Sequence, residues 1–503
     1  MSDLETFINA KSTEGRASWA SAAVTEGDWS RARSQLAEGR WDLVALWGEP
    51  DSVHLAVRDT ASNEFATATL ACPDGRYPSI GQMHPPAIRL ERAIHDLYGL
   101  EPIGLPDARP WLDHGRWGVR HPLGSCVPVI SAEEPYRFLP AEGESLHQIA
   151  VGPVHAGIIE PGFFQFAASG ETVVRLEERL GYAHKGIEGL MAGASLDRAI
   201  KLAGRASGDG TVAYAYAFAR AAEAALGIEA PPRAAWLRAL MAELERIANH
   251  IGDFGAICND ASFAVMQAQC GILRERVLRT SAACFGHRLM RDCIVVGGVA
   301  VDLASDGALL LSRLMTEIGN RLPQLSELYD KTASLQDRTV GTGILKPQLA
   351  RQYACGGFIG RASGRNFDAR KALAYAPYDQ LIFSVPTLDE GDVNARVWIR
   401  IREIEQSVSM IRQILDRMPT GPLSTEFPQL DVSREGATMV EGFRGDIFVW
   451  LRLTADGSVS RCHLRDPSWF QWPLLEAAIE GNIVADFPLC NKSFNCSYSG
   501  HDV

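Results

Sequence analysis

The stretch from Tyr182 to Glu223 concentrates side chains that could move protons. Glu188 closes the segment H-K-G-I-E, and Arg205 opens the segment R-A-S-G-D-G, which contains Asp209. A carboxylate can take up and release a proton when burial or a nearby charge shifts its pKa. Arg205 would bring a fixed cation that could hold Asp209, Glu188 or Asp260 ionised. From spacing alone, a solvent-facing helical position is favoured for Glu188.

Two further carboxylates lie on a second predicted helix. Asp253 and Asp260 are seven residues apart, close to two helical turns, and would share one face if the helix extends that far. Two carboxylates near an arginine can differ in pKa and pass a proton between them. A surface ion-pair network is the alternative interpretation of the same spacing.

The first stretch resembles the metal-site motifs of nickel-iron hydrogenase large subunits, particularly the membrane-bound formate-hydrogenlyase type. That family carries H-R-G-x-E, then R-x-C-G-x-C-x-x-x-H, whereas this chain has Ser207, Gly210 and Tyr214 at the last three ligand-motif positions. The partner motif D-P-C-x-x-C appears as D-P-S-W-F-Q, with Ser468 at its first cysteine position. Because nickel is held there by soft thiolates, the resemblance implies the fold without the nickel centre.

Other segments resemble subunits of respiratory complex I. Residues 91–99, E-R-A-I-H-D-L-Y-G, are similar to a signature of its small hydrophilic subunit, although an amphipathic helix explains the spacing equally well. His155 fills the first histidine position of the loop that opens the catalytic subunit, and Glu160 lies in the region of the second. Phe218 corresponds to a quinone-contacting tyrosine, and Asp260 to the carboxylate that pairs with the quinone-site histidine. The two-donor quinone clamp is therefore incomplete.

These resemblances imply a fused subunit of a membrane-associated, complex I-like oxidoreductase of the energy-converting hydrogenase-related class. It would couple electron transfer to proton or cation translocation without being a nickel-iron hydrogenase. We expect no cofactor on this chain and an iron-sulfur cluster on a small partner subunit. Antiporter-like and other membrane subunits would be further partners. Whether quinone binds is left open. The alternatives are a quinone-reducing NADH dehydrogenase-like subunit and a non-catalytic structural or coupling subunit.

The resemblance also assigns residues to roles. The predicted catalytic residues are Glu188, Arg205, Asp209, Asp253 and Asp260. The predicted substrate-cleft residues are His155, Glu160, His184, Ser207, Tyr214, Phe218 and Ser468. No metal ligand is predicted, because His155, His184 and His250 have no H-x-x-x-H or cysteine partner and structural histidines are favoured.

Composition and charge limit the classes of partner. The 503 residues are 46% hydrophobic and 22% charged, as in folded proteins, and the net charge of -12 argues against nucleic acid. No secretory signal is visible, and Asp302 and Asp306 interrupt the longest apolar run. The ten cysteines form no C-x-x-C, and no G-x-G-x-x-G follows a strand to bind a nicotinamide. We expect a cytoplasmic chain that partner subunits hold at the inner face of the cell membrane.

The elements predict an α+β fold in two domains joined by a proline-rich connector. After a terminal helical arm over residues 1–35, three β-type runs from Trp41 and a helix from Pro85 to Gly99 form a small α/β domain, residues 36–110. Residues 111–145 are the connector, and residues 146–503 are a large, mostly helical domain with peripheral β-hairpins.

Three features are predicted within the large domain. A hairpin follows His147, with Gly and Pro at its turn. Helical periodicity is assigned from Glu171 to about Leu328, which makes Glu178 an exposed helical carboxylate. A helix over 392–418 and a hairpin around the Ala-Asp-Gly turn at 455–457 complete the domain.

Overall fold

The computed structural model describes Leu4, Phe7 and residues 19–129, 135–141, 143, 145–156 and 159–503. Its architecture is α+β, as predicted: a sheet with helices at the N-terminal end, a large helical region, and a second main sheet near the C-terminal end. Residues 1–3, 5, 6 and 8–18 of the predicted terminal helical arm lie outside the described residues. Its described end is strand β1 (Ala20–Val24) followed by helix α1 (Glu26–Ala37), so the all-helical assignment was wrong there.

The predicted three-stranded meander is confirmed. The strands are β2 (Trp41–Glu49), β3 (Ser52–Asp59) and β4 (Phe65–Ala71). They pair antiparallel, and β1 adds to β4 in parallel, which gives the order β1-β4-β3-β2. β-branched and apolar residues favour these strands. Because one face of the sheet is buried against a helix, the apolar residues on that face fix the register of the strands.

Helix α2 (Ile88–Tyr98) covers this sheet, as predicted. It follows strand β5 (Arg76–Pro78) and a short 3₁₀ turn at Pro85–Ala87, and it ends at Gly99, whose left-handed φ of 78° suits a glycine. Gly48 on β2 lets the helix approach closely, since a Cβ there would lie 2.9 Å from the Tyr98 ring. The close packing of α2 on β2 positions Tyr98 at one wall of the site described below.

Strand β6 (Glu101–Ile103), parallel to β5, precedes the connector. The described part of the connector contains only short strands, as its prolines predict: the antiparallel pair β7 (Val119–Arg120) and β8 (Val127–Pro128). Trp111 is buried within the segment. The division into two domains remains a prediction, because the hydrophobic core that includes α2 also includes residues of the C-terminal third of the chain, such as Trp469.

The hairpin after His147 is confirmed, but the helix assigned from Glu171 was wrong at its start. Strands β9 (Leu146–Val151) and β10 (Phe163–Ser169) pair antiparallel, and β11 (Thr172–Arg179) continues the sheet after a turn at Gly170. The β-branched run at 172–174 favours a strand, and Val173 and Leu176 face the core. Glu178 therefore lies on a strand, fully buried, instead of on an exposed helix face.

Helices dominate from residue 187, as predicted. The helices and the intervening short strands are α3 (Ile187–Met191), α4 (Leu196–Ala203), α5 (Thr211–Leu226), α6 (Pro232–Asp260), α7 (Ala264–Phe285), β12 (Ile294–Val295), β13 (Gly298–Val299), α8 (Gly307–Lys331) and α9 (Ala333–Thr339). The stripe that begins at Leu237 on α6 is buried throughout. Because α6 continues to Asp260, Asp253 and Asp260 lie on the same helix. Among the described residues, the helices are too short or too polar to cross a bilayer.

The remaining third of the chain combines helices with a three-stranded sheet. Its elements are α10 (Pro347–Gln352), α11 (Gly357–Ala362), α12 (Ala369–Ala372), α13 (Val393–Arg417), β14 (Arg434–Glu441), β15 (Asp446–Leu453), β16 (Val459–Arg465), α14 (Ser468–Ile479), α15 (Phe487–Phe494) and α16 (Tyr498–His501). The predicted helix over 392–418 and the hairpin β15–β16 are confirmed. The segment 497–503, called the tail below, is buried in the interior.

Candidate functional site

A cluster of hydroxyls and charges lies where the start of α5, the β14–β15 turn and the tail meet. Asp209 accepts hydrogen bonds from Ser207 Oγ at 2.7 Å and from both terminal nitrogens of Arg444 at 2.8 and 2.5 Å. Burial alone would raise the pKa of Asp209, but the charge and hydrogen bonds of Arg444 lower it to about 2. Asp209 is therefore an ionised carboxylate at neutral pH.

A chain of hydrogen bonds continues from Ser207 into the tail. Ser207 Oγ lies 2.9 Å from Ser497 Oγ, and the Ser497 N–H donates to Ser468 Oγ at 2.9 Å. The Ser468 N–H donates to Asp466 Oδ1, and Tyr214 donates its hydroxyl proton to Asp466 Oδ2 at 2.5 Å. All five side chains are buried. Ser207, Tyr214 and Ser468, all assigned to the substrate cleft, lie in one cluster. Hydrogen bonds through Ser497 and Asp466 link them, and they present no open surface to a substrate.

The tail fills the space beside these residues. Gly500 lies against Asp466 and Tyr214, where a Cβ would come within 2.6 Å of the carboxylate. His501 stacks on Trp469 with ring centroids 4.0 Å apart, donates from Nδ1 to Asp502 and accepts from Trp111 Nε1. Both ring nitrogens are satisfied in the neutral imidazole, and burial lowers the pKa of His501. The tail thus holds the cluster in place from the inside.

Glu188 occupies a separate, polar corner of the interior. Its Oε1 accepts a hydrogen bond from His463 Nδ1 at 2.8 Å and from the Leu464 N–H at 3.1 Å, both on β16. Only 10% of the Glu188 side chain and 12% of the His463 side chain are exposed. The two residues line a cavity of about 30 Å³ whose other walls include Trp47 and Tyr98. The carboxylate therefore faces an imidazole, and the solvent-facing alternative is excluded.

Arg205 does not perform the task predicted for it. Its guanidinium pairs with Asp292 at the surface, where both side chains are more than a third exposed. Arg444, 235 residues from Asp209 in the sequence, supplies the buried cation. The expectation that Arg205 ionises Asp209, Glu188 or Asp260 was wrong, because the side chain of Arg205 extends away from the interior.

Asp260 and His155 line a second cavity, of about 250 Å³. Its other walls include Phe164, Phe487 and Tyr498. Burial raises the pKa of Asp260, although the charge of Lys492 opposes the shift. His155 Nε2 lies 2.8 Å from the Gly162 carbonyl oxygen, so this nitrogen carries the proton. The cavity is mostly apolar, and its burial of the Asp260 carboxyl group favours the neutral form of that group.

The remaining predicted residues have structural partners. Asp253 accepts from Arg400 Nε at 3.3 Å and from Asn495 at 3.0 Å, which replaces the predicted pairing with Asp260. His184 Nδ1 contacts the Asp502 carbonyl oxygen at 3.1 Å, and Glu160, at the surface, accepts from the Ser499 N–H at 3.0 Å. Phe218 is fully buried in the core of the helical region. It was placed in the substrate cleft, but it contacts the core instead.

The donor set does not fit a soft metal such as nickel. Ser207 and Ser468 offer hydroxyls that are already hydrogen-bonded, and Gly210 has no side chain. Among the described residues, no three His, Cys, Asp or Glu side chains are grouped to hold a metal ion. His250 is buried and bonds to Glu403 at 2.8 Å, which is the arrangement of a structural histidine.

Three residues of the site had no predicted role. Arg444, His463 and Ser497 lie more than 230 residues from their partners Asp209, Glu188 and Ser207. Asp466 was recognised only as the start of a motif. The glycines on either side of Phe443-Arg444 indicated a tight turn, but no local pattern indicates which carboxylate an arginine in that turn will reach.

Comparisons with known proteins agree with this architecture. The family described as "Respiratory-chain NADH dehydrogenase, 49 Kd subunit" matches residues 262–437, and the 30 Kd subunit family matches residues 47–132. Formate hydrogenlyase subunit 5 of Escherichia coli (strain K12) is 30% identical over 437 residues, which cover 85% of this chain and 77% of the relative. An NADH-quinone oxidoreductase subunit of Phocaeicola vulgatus is 28% identical over 82% of this chain and 84% of its own length.

A solved structure shares the fold. A chain of the membrane-bound sulfane sulfur reductase, an archaeal respiratory membrane complex, superposes with a TM-score of 0.67 at 24% identity, over 72% of this chain and 99% of that one. At 24% identity the solved structure shows a shared fold alone. The similarity to the formate hydrogenlyase relative is a similarity of sequence, at 30% identity. The chain belongs to the family of the 49 Kd subunit of respiratory NADH dehydrogenase and the related hydrogenase subunits, joined in one polypeptide to a segment of the 30 Kd subunit family.

Proposed function

We propose that this chain is the subunit of a membrane respiratory complex in which electron transfer is coupled to the movement of protons or cations. The observation that carries the proposal is Glu188, a carboxylate buried in the interior and bonded to an imidazole. An arginine would keep the carboxylate ionised, as Arg444 does for Asp209, whereas an imidazole can itself gain or lose a proton near neutral pH. The Glu188 corner is therefore suited to proton transfer.

The same proposal excludes hydrogenase chemistry on nickel. Ser207, Ser468 and Gly210 stand at positions of the family's cysteines. The two serine hydroxyls are hard ligands that are already hydrogen-bonded, and glycine offers no ligand atom in a side chain. We propose that electrons instead arrive through an iron-sulfur cluster on a small partner subunit. Antiporter-like membrane subunits would hold the complex at the inner face of the membrane, in keeping with the archaeal respiratory membrane complex that contains the chain of the same fold.

The test is Glu188→Gln in the complex reconstituted with its neighbouring subunits. Gln keeps the shape and accepts the Leu464 hydrogen bond, but it cannot titrate. We expect normal assembly and a loss of ion-coupled turnover of about a hundredfold, within the usual range for a lost acid-base group. Glu171→Gln is the matched control, since Glu171 is an exposed carboxylate. Ion movement by Glu188→Gln at the level of the control would refute the proposal.

A second candidate function is reduction of a quinone, and it rests on the cavity that holds His155 and Asp260. Its volume of about 250 Å³ and aromatic walls suit a small apolar ring. Asp260→Asn should weaken the binding of a short-chain ubiquinone, measured by titration of the complex, while Glu171→Gln should not. Equal affinity in both variants would remove quinone from consideration at this cavity.

A further inference from the structure

His463, the imidazole that partners Glu188, uses only one of its two ring nitrogens. It donates from Nδ1 to Glu188, but Nε2 is buried and has no hydrogen-bond partner among the residues that the structure describes. A buried polar atom without a partner costs about 1–3 kcal/mol. The cavity beside it, of about 30 Å³, is large enough for one or two water molecules, which would satisfy Nε2.

A second histidine in the same stack provides the comparison. His463 and His54 both stack on the Trp47 indole, with ring centroids 5.2 and 5.1 Å away and interplanar angles of 11° and 10°. His54 uses both nitrogens, one on Glu49 at 2.8 Å and one on Thr69 at 2.9 Å. His54 is therefore fixed in one hydrogen-bonding state, and only His463 has a nitrogen open to the cavity.

We propose that His463 delivers protons to Glu188 from water in the cavity between β2, α2 and β16. A hydrated proton would bind at Nε2 and make an imidazolium. The imidazolium would then give its Nδ1 proton to Glu188 Oε1, which leaves a neutral imidazole and a neutral carboxylic acid. One proton enters and one is passed on, so charge is conserved, and the reverse sequence removes a proton from Glu188. The inference rests on the proposed role of Glu188 and adds the group that supplies it.

The pKa values of the neighbouring side chains favour the Glu188–His463 pair as the place of proton exchange. The other titratable or charged side chains around it are Tyr98, Glu49, His54, Arg452, Arg461 and Cys462. Burial raises the pKa of Tyr98 and of Cys462 well above their ordinary values, so both stay protonated. Burial would raise the pKa of Glu49 too, but His54 and Arg452 lower it to about 2, so it stays ionised.

The location of the cavity gives the N-terminal segment a part in this function. Trp47 and Tyr98 belong to the sheet and helix matched by the 30 Kd subunit family, whereas Glu188 and His463 come from the rest of the chain. Gly48 is needed for the wall, since a side chain there would clash with Tyr98. The fused segment would therefore close the compartment from which His463 draws its protons.

The test compares His463→Asn with Glu188→Gln in the reconstituted complex. The amide nitrogen of Asn can replace Nδ1 as the donor to Glu188, but it cannot transfer a proton. We expect His463→Asn to assemble, to lose about tenfold or more of ion-coupled turnover, and to flatten the pH profile between pH 5 and 8. His147→Asn, at an exposed histidine, is the matched control and should keep the wild-type profile.

A second measurement compares only Glu188→Gln with the wild type. In the ¹³C-histidine NMR spectrum at one fixed pH, the chemical shift of the His463 resonance should differ between Glu188→Gln and the wild type, while that of the His54 resonance is unchanged. The inference is overturned if the His463 resonance does not move, or if His463→Asn keeps the turnover and pH profile of the control. Loss of turnover in Glu188→Gln with full activity in His463→Asn would refute this delivery route and leave the function proposed for Glu188 intact. Full activity in both would refute the two together.

Discussion

Arg444 holds Asp209 through two hydrogen bonds, at 2.8 and 2.5 Å, across 235 residues of chain. The arginine is itself fixed by a hydrogen bond from Nε to the Asn495 carbonyl oxygen at 2.5 Å. It joins the β14–β15 turn to the start of α5 and to the end of α15. Arg444 thus links the helical region electrostatically to the segments that lead into the tail.

Replacing Arg444 should therefore destabilise the protein more than replacing Arg205. Arg444→Ala leaves Asp209 without its cation in a partly buried site, at a cost of about 1–3 kcal/mol in the free energy of unfolding. Arg205→Ala removes only an exposed pair and should cost less than about 1 kcal/mol. Urea denaturation at pH 7 measures both. Equal costs would contradict the assignment of Arg444 as the interior cation.

The acid dependence of stability gives the same pair a second readout. The folded-state pKa of Asp209, about 2, lies below its ordinary value of 3.8. The stabilisation is therefore present above about pH 4 and is lost as pH falls through 2. Arg444→Ala should lose less stability than the wild type over this interval, because its Asp209 no longer depends on the pair.

Glu178 should show the opposite pH dependence. Burial and the neighbouring Glu476 raise its pKa well above 4.5, while Arg89 opposes the shift. The folded state thus prefers protonated Glu178, and this stability is present below pH 4.5 and is lost as pH rises through the folded-state pKa. Glu178→Gln is neutral at every pH, so its free energy of unfolding should fall less between pH 5 and 9, by about 1–3 kcal/mol.

Glu171→Gln is the control for that experiment. Its carboxylate is exposed, so its denaturation curves should change with pH as those of the wild type do. Parallel curves for Glu178→Gln and Glu171→Gln would show that Glu178 is ionised in the folded protein, against the direction of its pKa.

Removal of the tail should prevent stable folding. Deleting residues 497–503 would remove the hydrogen bonds that Ser497 and His501 make with Ser207, Ser468 and Trp111, and it would open the interior to water. We expect a loss beyond about 4–5 kcal/mol, seen as a lost cooperative thermal transition. His501→Ala is the milder variant and should cost about 2–4 kcal/mol. A truncated chain with an unchanged transition would contradict a structural role for the tail.

Metal analysis tests the donor set. We expect well under one nickel per chain after growth in nickel-supplemented medium, because no thiolate is available at positions 207, 210, 468 or 471. A nickel-iron hydrogenase large subunit with its four cysteines is the positive control. One tightly bound nickel per purified chain would require ligands other than those described here.

Strong local patterns predicted the elements well. The alternating runs from Trp41, the glycine stop at Gly99 and the buried stripe on α6 each depend on residues close together in the sequence. Strand β11 was missed because charged residues at 175, 177 and 178 hid its alternation, and their partners lie elsewhere in the chain.

Contacts between distant segments were the part that sequence could not supply. Glu188 and Asp209 were recognised from motifs, but the motifs do not include His463 or Arg444. Arg205, close to both in the sequence, was the plausible cation, yet helix α4 directs it to Asp292 at the surface. Side-chain direction is set by tertiary packing, and a single sequence records that only indirectly.

The buried tail has a consequence for the order in which the chain can fold. Ser497 and Asp502 complete contacts with residues 181–183, 207 and 468, so the centre cannot close until residues 497–502 have been synthesised. Contacts over about 300 residues form slowly, because loop closure must precede them. During that interval the hydroxyl cluster is open to solvent. Residues 497–502 are therefore the ones that end the access of solvent to the site.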